Sequence, residues 1–129
     1  MWTRFMDMHS GGSLKEKQQY IYIEAPEEQA GVVFYHRFGH NPNRVTCTCC
    51  GNDYSISSDK SLKALTAYDR GCAYIGKKLI EAWNGRDYQP YTTLAEYKKR
   101  ADVLIIHKAE IKPKERVGEL PRQGYVWVD

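Results

Sequence analysis

Apolar positions along the chain fall into two periods, two and about three and a half, and these periods predict the elements. Trp2 to Met8 alternates loosely and is rich in bulky apolar groups, which predicts a first strand. His9-Ser10-Gly11-Gly12-Ser13 then reads as a turn or flexible loop, because paired glycines break regular structure. Gln19 to Glu24 predicts a second strand, with Tyr20, Tyr22 and Glu24 on one face and Ile21 and Ile23 on the other. Pro26 opens a helix, with Glu27 and Glu28 in its first turn, where negative charge suits the helix dipole. Ala30, Val33, Phe34 and Phe38 make its apolar stripe. Gly39 can end it in a left-handed conformation, and Pro42 stops it resuming.

Arg44 to Thr46 and Tyr54 to Ser57 read as the two arms of a hairpin carrying the cysteines at its tip. A helix is expected from about Asp59 to Arg70, with Leu62, Leu65 and either Ala64 or Tyr68 inward and Gly71 as its stop. Tyr74 to Trp83 reads as a short helix or an irregular amphipathic segment, and Asn84 to Pro90 as a loop. Thr93 followed by Glu96 resembles a capping box, with Leu94 and Tyr97 on one side of the helix it starts. Val103 to Ile106 is a continuous apolar run and reads as an interior strand. Lys112 to Gln123, with Pro113, Gly118 and Pro121, reads as a long loop before a terminal strand at Tyr125 to Val128. Strands and helices alternate without a regular βαβ rhythm. The expected class is therefore α+β: a small antiparallel or mixed sheet, two to four helices and a cysteine-rich knuckle, in one domain over residues 1–129.

Charge and composition narrow the functions. Residues 1–59 carry 5 basic and 7 acidic side chains and residues 60–129 carry 14 and 9, so the second half is mildly basic. That suits a nucleic-acid or acidic protein partner, and it disfavours a DNA mimic, which needs strong negative charge. No apolar run approaches the roughly 18 residues of a membrane span. Met1 to Asp7 lacks the apolar core of a signal peptide, so a reducing compartment is expected, with the four cysteines as thiols or metal ligands.

Cys47-x-x-Cys50-Gly51 has the spacing of a zinc knuckle. Two thiolates three residues apart on a tight turn can reach one tetrahedral ion, and the glycine lets the backbone amides curl toward the sulfurs. The chain has no second Cys-x-x-Cys. Cys72 is the first choice for a third ligand, and His36 and His40 are the next, as a pair spaced by one helical turn. Cys49 is awkward beside Cys50, because adjacent side chains on extended backbone point apart. The plain alternative is four small buried thiols, and a redox pair is a third reading.

Other candidates are weaker. Asp7 and His9 alternate along the first strand, so they would share a face beside the glycines, as a polar strand end or as an acid–base pair. Tyrosine is abundant, at 10 residues; Tyr20, Tyr22, Tyr35, Tyr88 and Tyr91 could stack on bases or fill an interface, or simply suit half-buried strands. Lys98-Lys99-Arg100 with Lys77-Lys78 could contact phosphates or form a solvated face. The sequence holds no phosphate-binding P-loop, no nucleophile elbow and no His-Glu-x-x-His.

Three segments together, Trp2-Thr3-Arg4-Phe5-Met6-Asp7-Met8-His9-Ser10-Gly11-Gly12, Arg44-Val45-Thr46-Cys47-Thr48-Cys49-Cys50-Gly51 and Gly124-Tyr125-Val126-Trp127-Val128, resemble a set of small proteins encoded by tailed bacteriophages. The resemblance implies a phage origin and a setting in the cytoplasm of an infected bacterium. It implies no activity; small accessory phage proteins often act by binding host machinery or countering host defence, and that general tendency sets the expectation here of docking on a host or phage protein. The expectation is thus a binding module stabilised by structural zinc. A nucleic-acid-binding protein and a metal-dependent hydrolase assisted by Asp7 or His9 are the alternatives.

Overall fold

The computed structural model describes residues 1–9, 14–46, 51–66, 69–70 and 93–120. Four strands form one mixed sheet: β1 (Trp2–Asp7), β2 (Tyr20–Glu24), β3 (Tyr54–Asp59) and β4 (Val103–Ile106), in the order β3-β1-β2-β4. β1 runs antiparallel to both β2 and β3, and β2 runs parallel to β4. With α1 (Glu27–Phe38), α2 (Leu62–Leu65) and α3 (Leu94–Tyr97), this is the expected α+β class. No helix among the described residues is long and apolar enough to cross a membrane.

The sheet is the middle of three layers, because both its faces are apolar. One face presents Phe5, Ile21, Ile23, Tyr54 and Ile106 to Ala30, Val33 and Phe34 of α1. The other presents Trp2, Tyr22 and Val103 to Leu62 of α2 and Tyr97 of α3. The alternation predicted for β2 is observed: Ile21 and Ile23 belong to the first core, Tyr20 and Tyr22 to the second. α1 follows its predicted stripe. Gly39 closes it at φ 79°, donating its N–H to the Tyr35 carbonyl at 2.8 Å, a conformation that disfavours a Cβ. The β-branched Val32 and Val33 are buried there, so packing overrides their weak helix preference.

Three expectations change. Asp59 ends β3 opposite Trp2 rather than starting a helix. Its Oδ1 accepts the Ser61 N–H at 2.9 Å, and Ser61 then caps α2 through the Ala64 N–H, so the helix begins at Leu62 and Ala64 is exposed. Arg44 to Thr46 is not a strand, and β3 pairs with β1; the flanks of the cysteine segment are joined by the Asp53 N–H, which donates to the Arg44 carbonyl at 3.1 Å. β4 lies at the end of the sheet among the described residues. It reads as interior because Leu104 and Ile106 meet one core while Val103 and Ile105 meet the other, which makes every position apolar. The Thr93 hydroxyl accepts the Glu96 N–H as expected of a helix start. Within the expected 112–123 loop, Pro113–Glu115 forms a 3₁₀ turn. The expected segments at residues 74–83, 84–90 and 125–128, and Gly71 and Tyr68, lie outside the described residues.

A candidate functional site at the loop-bearing end of the sheet

β1 ends at Asp7 directly beside the start of β3 at Tyr54. Two loops therefore leave the same end of the sheet: the glycine-containing one after Asp7 and the cysteine-containing one before Asp53. The Met8 N–H donates to the Asp53 carbonyl at 2.9 Å and joins their feet. Each foot is fastened by a buried aspartate. The Asp7 carboxylate, 1% exposed, accepts the backbone N–H of His9 at 2.8 Å and of Lys15 at 2.7 Å. The Asp53 carboxylate, 0% exposed, accepts the Thr46 N–H at 2.8 Å and the Thr46 hydroxyl at 2.7 Å, with Arg44 Nε 3.6 Å away. Ionised acceptors bind N–H groups about twice as strongly as neutral ones, so each aspartate pins both ends of its loop.

His40 and Glu16 complete this end. His40 Nε2 lies 3.2 Å from Glu16 Oε2, and its ring packs on Phe34 at 5.3 Å and on Tyr54 at 6.0 Å. A carboxylate that accepts from Nε2 fixes the tautomer and leaves Nδ1 with its lone pair in neutral histidine, the arrangement that orients metal-binding imidazoles. Tyr54 is 2% exposed, and its hydroxyl has no hydrogen-bond partner among the described residues. Burial raises its pKa, and the negative charges of Asp7, Glu16 and Asp53 raise it further against the opposing Arg44. The phenol therefore stays protonated.

The predicted residues are distributed differently from the expectation. Asp7 and His9 do not form a side-chain pair: the Asp7 carboxylate binds the His9 backbone, while His9 sits at φ 55° with an exposed side chain. The short loop turns the backbone between them, so strand alternation no longer sets their directions. His36 and His40 are not a helical pair either. The helix ends at Phe38, so His40 lies beyond it; His36 Nε2 instead meets the Val117 carbonyl at 3.2 Å. Cys47, Cys49, Cys50 and Cys72 lie outside the described residues, and among the described ones no group of three or more His, Asp or Glu is placed to hold a metal. Glu16, Asp53 and Tyr54 were not singled out from the sequence. An aspartate two residues after a glycine was the available signal for Asp53.

Tyr20 and Tyr22 belong to the opposite face. Tyr22 is fully buried and donates its hydroxyl to Asp69 Oδ2 at 2.7 Å. Its one proton is thereby used, so the Tyr97 hydroxyl, 2.8 Å away, donates to it. Burial raises both phenol pKa values. Tyr22 thus has no ring face open to a base or a partner. Tyr20 is partly buried, with Arg100 over its ring at 6.0 Å, and Arg100 is itself bound to Asp102 at 2.5 Å. Comparison of this chain with protein-family models, with curated proteins and with solved structures gives no match.

Proposed function

We propose that the chain is a binding module that engages a protein partner through the two loops at this end of the sheet. The observation that carries the reading is that Asp7 and Asp53 each fasten the foot of a loop at the same end of the sheet. Two buried carboxylates at neighbouring loop feet are spent on fastening them, which is the investment expected of a recognition surface on a rigid scaffold. Structural zinc belongs to the same proposal, with Cys47, Cys50 and Cys72 as ligands. Support for His40 over His36 as the fourth ligand comes from its Glu16 partner and from its stacking on Tyr54, next in sequence to Asp53 at the root of the cysteine loop. The phage resemblance supports a host or phage protein as the partner, in the cytoplasm of an infected bacterium, with inhibition of a defence protein as the outcome of docking.

Both alternatives have less support. Arg100, from the basic run, is committed to Asp102 and to two tyrosine rings, which weakens a nucleic-acid role for it. The hydrolase reading required Asp7 and His9 to act together, and Asp7 already accepts two backbone amides.

Mass spectrometry of the purified native chain tests the metal, with about one zinc expected per chain. Cys47→Ser and Cys72→Ser should lose it together with stability. A folded, metal-free chain as stable as the zinc-treated one would reject the zinc. Pull-down from infected cells tests the docking: a stoichiometric protein lost on Asp53→Ala is expected, and recovery of no protein partner would reject it.

A further inference from the structure

The C-terminal turn of α1 and the 3₁₀ turn at Pro113–Glu115 enclose a surface pocket of about 620 Å³, lined by His36, Arg37, Lys112, Lys114 and Glu115. Its frame is fixed. Arg37 Nε donates to Glu115 Oε2 at 2.6 Å and Nη2 to the Glu110 carbonyl at 2.7 Å, while Glu115 Oε1 accepts the Lys112 N–H at 2.9 Å. Burial works against the Glu115 carboxylate, yet the Lys112 amide, Arg37 and the charge of the Lys112 side chain outweigh it and hold its pKa below the usual range. The acid is thus ionised; its ion pair is with Arg37, and the more distant Lys112 charge also favours it.

What is left over is positive. The side-chain ammonium groups of Lys112 and Lys114 form no ion pair among the described residues, and neither does Arg37 Nη1 hydrogen-bond there. His36 donates Nε2–H to the Val117 carbonyl, so its Nδ1 remains for another partner. The Arg37–Glu115 pair is neutral overall, and the two lysines add two positive charges. A phosphate monoester carries about −1.5 to −2 at neutral pH and three strong acceptor oxygens; a carboxylate carries one charge and two oxygens. The volume lies within the usual range of small-molecule sites, about 300–1,000 Å³. The negative end of the α1 dipole opposes an anion here, so the side-chain cations must supply the attraction.

We propose that this pocket binds the phosphate monoester of a small molecule, with Lys112, Lys114 and Arg37 Nη1 as donors. The site is separate from the loop-bearing end of the sheet and does not depend on zinc or on the protein partner.

The test is an NMR titration of the full ¹⁵N-labelled chain at constant ionic strength with inorganic phosphate, adenosine 5′-monophosphate and acetate. Saturable shifts are expected at the amides of Arg37, Lys112, Lys114 and Glu115 with both phosphates and not with acetate. Tighter binding of the nucleotide would identify a phosphorylated small molecule with its own base or sugar contacts; equal binding would identify the phosphate group alone as the ligand. The double variant K112Q/K114Q changes only exposed side chains, and it should weaken binding by about tenfold or more, as expected for losing charge-assisted hydrogen bonds. Acetate shifts of the same size and pattern, undiminished affinity in the double variant, or no saturable shift with either phosphate would each overturn the proposal.

Discussion

Arg4 Nη1 lies 3.0 Å from both carboxylate oxygens of Asp69, joining the central strand to a residue 65 positions later. Both side chains are nearly enclosed, at 13% and 2% exposure, and Tyr22 donates to the same carboxylate. Removing one partner of a buried ion pair strands the other charge, which typically costs about 3–5 kcal/mol. Asp69→Ala should therefore destabilise the chain by about 3 kcal/mol in urea unfolding. Tyr22→Phe removes two hydrogen bonds, the one to the Asp69 carboxylate and the one accepted from the Tyr97 hydroxyl, and should cost about 2–3 kcal/mol.

The same network predicts the alkaline limit. Tyr22 and Tyr97 have pKa values raised by burial above the ordinary phenol value near 10. A raised pKa means that the folded state holds its proton more tightly than the unfolded chain. The contribution is complete below pH 10 and declines as pH rises beyond it, because only the unfolded phenols ionise. Unfolding midpoints should fall steeply above about pH 10, and less steeply in Tyr97→Phe. Urea titrations from pH 8 to pH 11.5 check this.

Glu115 sets the acid side in the opposite sense. Its lowered pKa stabilises the folded chain above the ordinary carboxylate range, and this contribution disappears as pH falls through the folded value. Glu115→Gln should consequently show a smaller stability difference between pH 7 and pH 3 than the parent chain. In the variant, Arg37 also loses its ionic partner, so the amides of Lys112, Glu115 and Arg116 should exchange hydrogen faster.

Gly39 offers a purely conformational test. Its φ is 79° and an added Cβ would meet nothing within 4 Å, so the only penalty for Gly39→Ala is the left-handed backbone. A loss of about 1 kcal/mol is expected, read from the denaturation midpoint at unchanged slope.

Asp7→Ala and Asp53→Ala should act locally. Each removes a buried acceptor from two N–H or O–H donors, at about 2 kcal/mol. Hydrogen exchange should accelerate at His9 and Lys15 in the first variant and at Thr46 in the second, with the amides of β2 little changed.

Much of the fold was readable because local signals agreed with packing. The two-residue alternation of Tyr20 to Glu24 and the Ala30–Val33–Phe34 stripe each point to one surface, and those surfaces are the two that the sheet and α1 bury. The errors arose where a long-range contact overrode a local pattern. Asp59 looks like a helix start until Trp2 pairs with it, and Arg44 to Thr46 looks like a strand until Asp53 takes over its hydrogen bonds. The site was less readable for the same reason. Glu16, His40 and Tyr54 are 24 and 14 positions apart in the chain, and nothing short-range marks them as neighbours. Asp7 was visible as a candidate, but its task, holding backbone amides, depends on a turn that alternation does not encode.

The parallel pairing of Tyr20 with Val103 and of Ile23 with Ile106 has a consequence for biogenesis. A ribosome delivers β1, β2 and α1 before β4, so β2 keeps one flank bare until Val103–Ile106 has emerged. Such distant closure slows acquisition of the native state. A nascent chain of this kind would spend its maturation with an open, sticky seam, the natural point of attack for chaperones.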